Sequence, residues 1–235
     1  METLNKDELF SISKYLNLFD FISFCSVNKY IRTLLYLKDA AWRYRLEKHY
    51  PNYRKLNFIE QKPSREIYKT MYCVTILKDK LKIKETVYEL FNLKDLRLSF
   101  RSRGKIPKEI GVLNNLEHLW LVGNELTELP KEIGNLKNLK VLNSTDNKLT
   151  HIPKELGNLV NLKYLALSFN QIKEIPKELS NLTKLEQLYL NDNKLTSLPT
   201  ELSELKNLKE ICLSRNKSGW LSKCFKQNKN LKIHI

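Results

Sequence analysis

Six glycines, four cysteines and four histidines are all that 235 residues offer to phosphate loops, disulfides or metal centres. The glycines form no glycine-rich loop of the kind whose backbone amides cradle phosphate. Cys25, Cys73, Cys212 and Cys224 show no C-x-x-C spacing, which argues against a zinc cluster or dithiol centre and for reduced thiols in an intracellular protein. His49, His118, His151 and His234 are scattered along the chain. No apolar run approaches the ~18 residues that would cross a bilayer. Acidic and basic residues already mix among the first eight positions, which does not read as a secretory signal. These absences point to a cytoplasmic, non-secreted non-enzyme. They leave no catalytic residue, no cofactor, no metal and no membrane partner.

Charge is the one property in large excess, at +15 net. Its distribution argues against nucleic acid. Residues 1–82 carry 16 Lys and Arg against 9 Asp and Glu, and the remainder 25 against 17, so neither part concentrates the excess. Only the stretch after Glu210 is purely basic, with Arg215, Lys217, Lys223, Lys226, Lys229 and Lys232. It is the sole place where an acidic ligand or nucleic acid would find a basic track.

What the chain has in abundance is self-similarity. Leu93, Leu116, Leu139, Leu162, Leu185, Leu208 and Leu231 are spaced 23 residues apart. Leu116, Leu119, Leu121, Asn124, Leu126 and Leu129 fill the frame L-x-x-L-x-L-x-x-N-x-L, and the residues 46 and 69 positions later fill it again. That frame resembles the leucine-rich repeat, a unit too small to bury its own leucines and stable only as a stack. The L-x-L alternation predicts short parallel strands with leucines inward. Asn124, Asn147, Asn170, Asn193 and Asn216 would end those strands by pairing backbone groups that the stack buries. Pro107, Pro130, Pro153, Pro176 and Pro199 would each start an outer helical turn.

Two places break the frame. Ser144 sits at an inward strand position, where its hydroxyl is expected to bond a nearby carbonyl. In the first repeat Arg101 and Arg103 stand where asparagine and leucine belong, as suits a terminal unit that caps the stack.

The front of the chain has another texture, with 12 of the 23 aromatics in the first 60 residues and no 23-residue period. Asn5 and Glu8 form a capping box that Leu4 can staple onto Leu9. Leu9, Ile12 and Leu16 continue one helical face, while Phe10 falls off it. Phe21, Phe24 and Cys25 begin a second helical pattern, and Trp42 and Leu46 a third. Leu4, Glu8-Leu9, Tyr15-Leu16, Asp20-Phe21, Val27-Asn28-Lys29 and Trp42 together resemble an F-box, the adaptor module of SCF ubiquitin ligases. Asn5 stands where that module has its opening proline, and Asn28 where it has cysteine. The resemblance implies docking to a Skp adaptor, and through it to a cullin ubiquitin ligase, by Leu4, Leu9, Phe10, Ile12, Leu16 and Phe21. The lysine- and asparagine-rich style is also similar to F-box repeat proteins encoded by large DNA viruses of amoebae, which would act in host cytoplasm.

The expected architecture is an α/β solenoid: a leucine-rich-repeat horseshoe segment with short parallel strands over residues 83–235, an F-box-like helical domain over 1–50, and a helical linker and N-terminal cap over 51–82. Ile67, Met71, Val74, Leu77 and Leu81 lie on one face of that linker helix. Between repeats the scaffold positions barely vary, whereas the outward strand positions vary completely. One such column reads Arg97, Trp120, Asn143, Ala166, Tyr189 and Cys212; its neighbour reads Asp95, His118, Val141, Tyr164, Gln187 and Glu210. Arg97, His118, Trp120, Asn143, Tyr164 and Tyr189 are the expected target-binding residues, on the concave face. The alternative is a free-standing leucine-rich-repeat scaffold without a ubiquitin-ligase link.

Overall fold

The structure, a computed structural model, describes residues 39–55, 63–100, 104–217, 225 and 231–235. The chain divides into two compact units, Met1–Ile76 with Glu85–Tyr88, and Leu77–Lys84 with Glu89–Ile235.

Helices dominate the described part of the first unit. In α1 (Asp39–His49), Trp42 and Leu46 are one turn apart and fully buried. The helix α2 (Ser64–Leu81) begins after Pro63, whose carbonyl accepts the Glu66 amide at 2.9 Å. Its Ile67, Met71 and Val74 fall on one stripe and are buried in this unit. Trp42 packs 5.6 Å from the Tyr68 ring. The Tyr68 hydroxyl and His49 Nδ1 are hydrogen-bonded at 2.8 Å. Burial, then Lys48 and Arg45, hold the His49 pKa below its usual value. The last turn of α2 belongs to the second unit, where Leu77 and Leu81 are buried and Lys80 Nζ meets Glu109 Oε1 at 3.0 Å.

After α3 (Val87–Asn92) the second unit is a stack of strands: β1 Asp95–Arg97, β2 His118–Trp120, β3 Val141–Asn143, β4 Tyr164–Ala166, β5 Gln187–Tyr189, β6 Glu210–Cys212 and β7 Lys232–His234. They form one parallel sheet in sequence order. Each strand has three residues, and its central Leu or Ile points inward. Leu119, Leu142, Leu165, Leu188 and Ile211 are completely inaccessible. Each such side chain contributes ~1.5–3 kcal/mol of burial that a single repeat could not provide. Five-residue 3-10 turns return the chain, at Lys108–Val112, Lys131–Asn135, Lys154–Asn158, Lys177–Asn181 and Thr200–Glu204. The proline stands just before each turn in extended conformation. Pro130, for example, offers only its carbonyl, which accepts the Ile133 amide at 3.0 Å. Gly134 permits close stacking of successive turns, since a Cβ there would lie 2.3 Å from the Glu155 carbonyl oxygen.

The asparagines knit the repeats. Asn147 is buried; its Nδ2 donates to the carbonyls of Leu121 and Ser144 at 2.9 and 3.1 Å, and its Oδ1 accepts the Leu126 amide at 3.1 Å. Asn170 does the same for Ser144, Leu167 and Leu149, and Asn193 for Leu167, Leu190 and Ile172. Each amide joins its own strand end to the preceding repeat. Arg101 and Arg103, the odd residues of the first repeat, lie outside the described residues.

Two expectations are corrected here. The Ser144 hydroxyl is fully buried and bonds no carbonyl or any other group among the described residues. An unpaired buried hydroxyl costs ~1–3 kcal/mol. Ser144→Ala is therefore expected to raise the urea midpoint by the equivalent of ~1 kcal/mol, and Ser144→Leu to add burial on top if the neighbours leave room. A lower midpoint for Ser144→Ala would mean the hydroxyl is satisfied after all.

The second correction is Leu231. It keeps the 23-residue spacing, yet β7 pairs Glu210 with Lys232 and Ile211 with Ile233, a step of 22. Ile233 thus takes the central strand position and Leu231 falls one residue out of frame, both of them half-buried.

Candidate functional site on the sheet face

The outward strand residues are brought into two adjoining columns by the register. Asp95, His118, Val141, Tyr164, Gln187 and Glu210 are successive partners, as are Arg97, Trp120, Asn143, Ala166, Tyr189 and Cys212. The six residues expected at a binding surface therefore share one face, and β7 extends it with Lys232 and His234. Leu4, Leu9, Phe10, Ile12, Leu16 and Phe21 lie outside the described residues.

A carboxylate organises each end of this face. At the β1 end, Asp95 accepts Arg97 Nε at 2.9 Å and Trp120 Nε1 at 3.4 Å, with His118 Nδ1 at 3.6 Å. The Arg97 guanidinium lies 5.4 Å from the centre of the Trp120 ring, within cation–π range. At the other end, Glu210 accepts the Tyr189 hydroxyl at 2.9 Å and Gln187 Nε2 at 3.0 Å, and His234 Nε2 approaches it at 3.2 Å. The Tyr164 and Tyr189 rings are 5.4 Å apart and tilted. Bonds from Gln187 and Tyr189 hold the Glu210 carboxyl below its usual pKa, while burial and then Glu210 push Tyr189 up to about 12. Tyr189 is therefore a neutral donor throughout the physiological range. The smaller Val141, Asn143 and Ala166 separate the two groups, and Asn143 Oδ1 is occupied by the Thr145 amide at 3.0 Å.

These contacts change the picture drawn from composition. Trp120, Tyr164 and Tyr189 are half-buried against their neighbours; the exposed large apolar side chains among the described residues are Phe100, Val160, Phe169 and Ile235. Asp95 and Glu210, not counted among the binding residues, hold the aromatics in place. Their signal was available: Asp95 is two residues before Arg97, on the same strand face, and Glu210 is the cross-strand partner of Gln187.

One border of the face is a charge ladder. Glu117 bridges Lys94 and Lys140, and Glu186 bridges Lys163 and Lys209. Lysine hydrogen bonds keep both carboxyls below their usual pKa. The opposite border runs through the turn after each strand. There Phe100, Gly123, Asp146, Phe169, Asp192 and Arg215, one per repeat, all have positive φ, between 53 and 62°. Glycine and aspartate suit that conformation, whereas a residue such as phenylalanine pays roughly 1–2 kcal/mol for it.

Among the described residues no group of three or more His, Cys, Asp or Glu could hold a metal ion. No helix among them is long and apolar enough to cross a membrane.

Comparison with known proteins agrees with this geometry. Residues 143–232 match the family described as "Leucine-rich repeat region", and residues 115–136 match "Leucine Rich Repeat". A leucine-rich-repeat protein of Leptospira interrogans is 43% identical over 62% of this chain and 37% of that one, with a TM-score of 0.59. The leucine-rich-repeat ectodomain of a membrane receptor kinase from Arabidopsis thaliana, solved in complex with Casparian strip integrity factor 2, is 39% identical. That match covers 55% of this chain and 16% of that one, with a TM-score of 0.50. A plant ice-binding protein is 28% identical over 63% of this chain and 56% of that one, at a TM-score of 0.55. This chain thus spans well under two thirds of each of those structures. No curated protein sequence matches it. The repeats are leucine-rich repeats, and their fold is a parallel-strand solenoid preceded by a helical segment.

Proposed function

We propose that the chain is a non-catalytic adaptor: its leucine-rich repeats hold a target protein on the sheet face, and its front end docks to the Skp adaptor of a cullin ubiquitin ligase. The observation that carries the first half is the sheet face itself. Its outward residues differ from repeat to repeat, and two carboxylate-centred clusters preorganise Arg97, Trp120 and Tyr189. A leucine-rich-repeat ectodomain solved in complex with another factor is support by analogy.

The second half rests on the F-box resemblance of residues 4–46, with residues 1–50 as the docking module, 51–82 as linker and cap, and 83–235 as the recognition part. Trp42 and Leu46, at the end of that resemblance, are buried helix residues, as an F-box-like fold needs. The reading places the protein in eukaryotic cytoplasm, and the similarity in style to viral F-box repeat proteins would make that a host's.

Docking is tested with the full chain and a purified Skp adaptor by calorimetry. Association is expected at ~10 µM or tighter, and Leu9→Asp with Ile12→Asp should abolish it while the unfolding transition of the repeats stays in place. Absence of association for the unmodified chain would remove the ubiquitin-ligase link and leave a free-standing repeat scaffold.

A further inference from the structure

Two phenylalanines occupy a place in the repeat where phenylalanine is a poor choice. The residue before each ladder asparagine has positive φ, and in the middle and later repeats it is Gly123, Asp146, Asp192 and Arg215. At Phe100 and Phe169 the same backbone conformation carries a large apolar side chain, and neither ring is in the core: Phe100 is 75% and Phe169 49% exposed. The stack does not need them, because it closes over Gly123 and Asp146 in the repeats between. Backbone conformations that a residue type disfavours persist where something other than folding selects the side chain.

The space between the two rings is also distinctive. The backbones at Phe100 and Phe169 are three repeats apart, about 14 Å at the ~4.8 Å spacing of strands, with Asp146 two repeats from the first and one from the second. A Cβ on Gly123 would lie 2.3 Å from two Phe100 ring atoms, so that ring lies along the rim over the next repeat, toward Asp146. Asp146 is exposed and has no ion-pair partner among the described residues, whereas Asp192, in the same column, is paired with Arg215 at 3.2 Å. The rim therefore presents ring, carboxylate and ring, in that order.

We infer that this rim, Phe100–Asp146–Phe169, binds an extended segment of a partner protein carrying two apolar side chains four residues apart and a lysine or arginine between them. An extended chain rises ~3.4 Å per residue, so positions i and i+4 span about 14 Å, matching the backbone separation of the two phenylalanines, and a long cation at i+2 on the same side reaches the carboxylate between them. The cation at i+2 meets Asp146 while the flanking apolar groups cover the two rings. The carboxylate makes the choice of charge: an acidic or neutral residue at i+2 would bury the Asp146 charge without a partner. The inference rests on the reading of the repeats as a protein-binding surface and names the chemistry of what is bound.

The test uses the full chain and the dye-labelled, capped heptapeptide Ser-Leu-Ser-Arg-Ser-Leu-Ser, followed by fluorescence anisotropy. Saturable binding below about 1 mM is expected. Phe100→Asn and Phe169→Asn should each weaken it at least tenfold, asparagine being chosen because it tolerates positive φ; Phe169→Gly, matching Gly123, replaces any variant that fails to fold. Replacing the peptide arginine with glutamate should also weaken binding at least tenfold, and Asp146→Asn should remove most of that preference. No saturable binding, or equal binding to the unmodified chain and to both phenylalanine variants, overturns the inference. Trp120→Ala with Tyr189→Ala separates the two readings. If that pair loses a protein target while the phenylalanine variants keep it, the rim inference fails and the sheet-face reading stands.

Discussion

Asn147→Leu is expected to cost the repeat unit about 3 kcal/mol, seen as a large drop in the urea midpoint by circular dichroism, although leucine is the more apolar residue. The Asn147 amide is buried between two repeats, and its oxygen accepts the Leu126 amide at 3.1 Å. Leucine would leave that amide buried with no acceptor, at ~1–3 kcal/mol, and would remove two bonds worth about 1 kcal/mol each. The carbonyls of Leu121 and Ser144 are less damaged, because Asn124 and Asn170 also bond them. Asn138 supplies the control. It too bridges repeats, donating to the Asn114 carbonyl at 2.8 Å, but it is exposed, so water replaces what Asn138→Leu removes. That variant should change stability by less than about 1 kcal/mol. Equal effects at the two positions would mean the buried ladder does not hold the stack together.

Trp120→Ala with Tyr189→Ala is expected to weaken target binding by ~2 kcal/mol or more, roughly thirtyfold, with little loss of folding. The two side chains belong to separate clusters and to strands three repeats apart, so their effects on stability should be independent. Neither is part of the inward leucine column. Asp95 keeps Arg97 and His118 when Trp120 is removed, and Glu210 keeps Gln187 and His234 when Tyr189 is removed. No buried charge is left without a partner. The matched control is Lys131→Ala with Lys154→Ala, two exposed residues of the outer turns, which should change binding little.

Much of the fold was legible because one physical requirement repeats. Inward leucines, ladder asparagines and turn prolines recur where a stack must bury apolar groups and pair its backbone, so the period alone locates strands and turns. Leu231 shows the limit of period-reading: hydrophobic spacing is only a proxy for strand register, and a segment one residue shorter lets Ile233 take the inward place. Ser144 shows another, since a serine in an inward column does not reveal whether an acceptor lies within reach, and here its hydroxyl has none. At the candidate site, the columns were readable from alternation, and spacing already put Asp95 beside Arg97 and Glu210 beside Gln187; the side-chain distances that make the two carboxylates organising groups were not. The exposed phenylalanines were missed for a different reason. Their significance lies in backbone φ at Phe100 and Phe169, a quantity that residue type alone does not reveal.

The central claim, that one chain carries two independent attachment surfaces, is tested by affinity capture from eukaryotic cytosol with three forms of the protein, each quantified by mass spectrometry. The unmodified chain should capture Skp and cullin subunits together with a target protein. Leu9→Asp with Ile12→Asp should lose the ligase subunits and keep the target, while Trp120→Ala with Tyr189→Ala should keep the ligase subunits and lose the target. If both variants lose the same proteins, or neither loses any, the division of labour between front end and sheet face is contradicted.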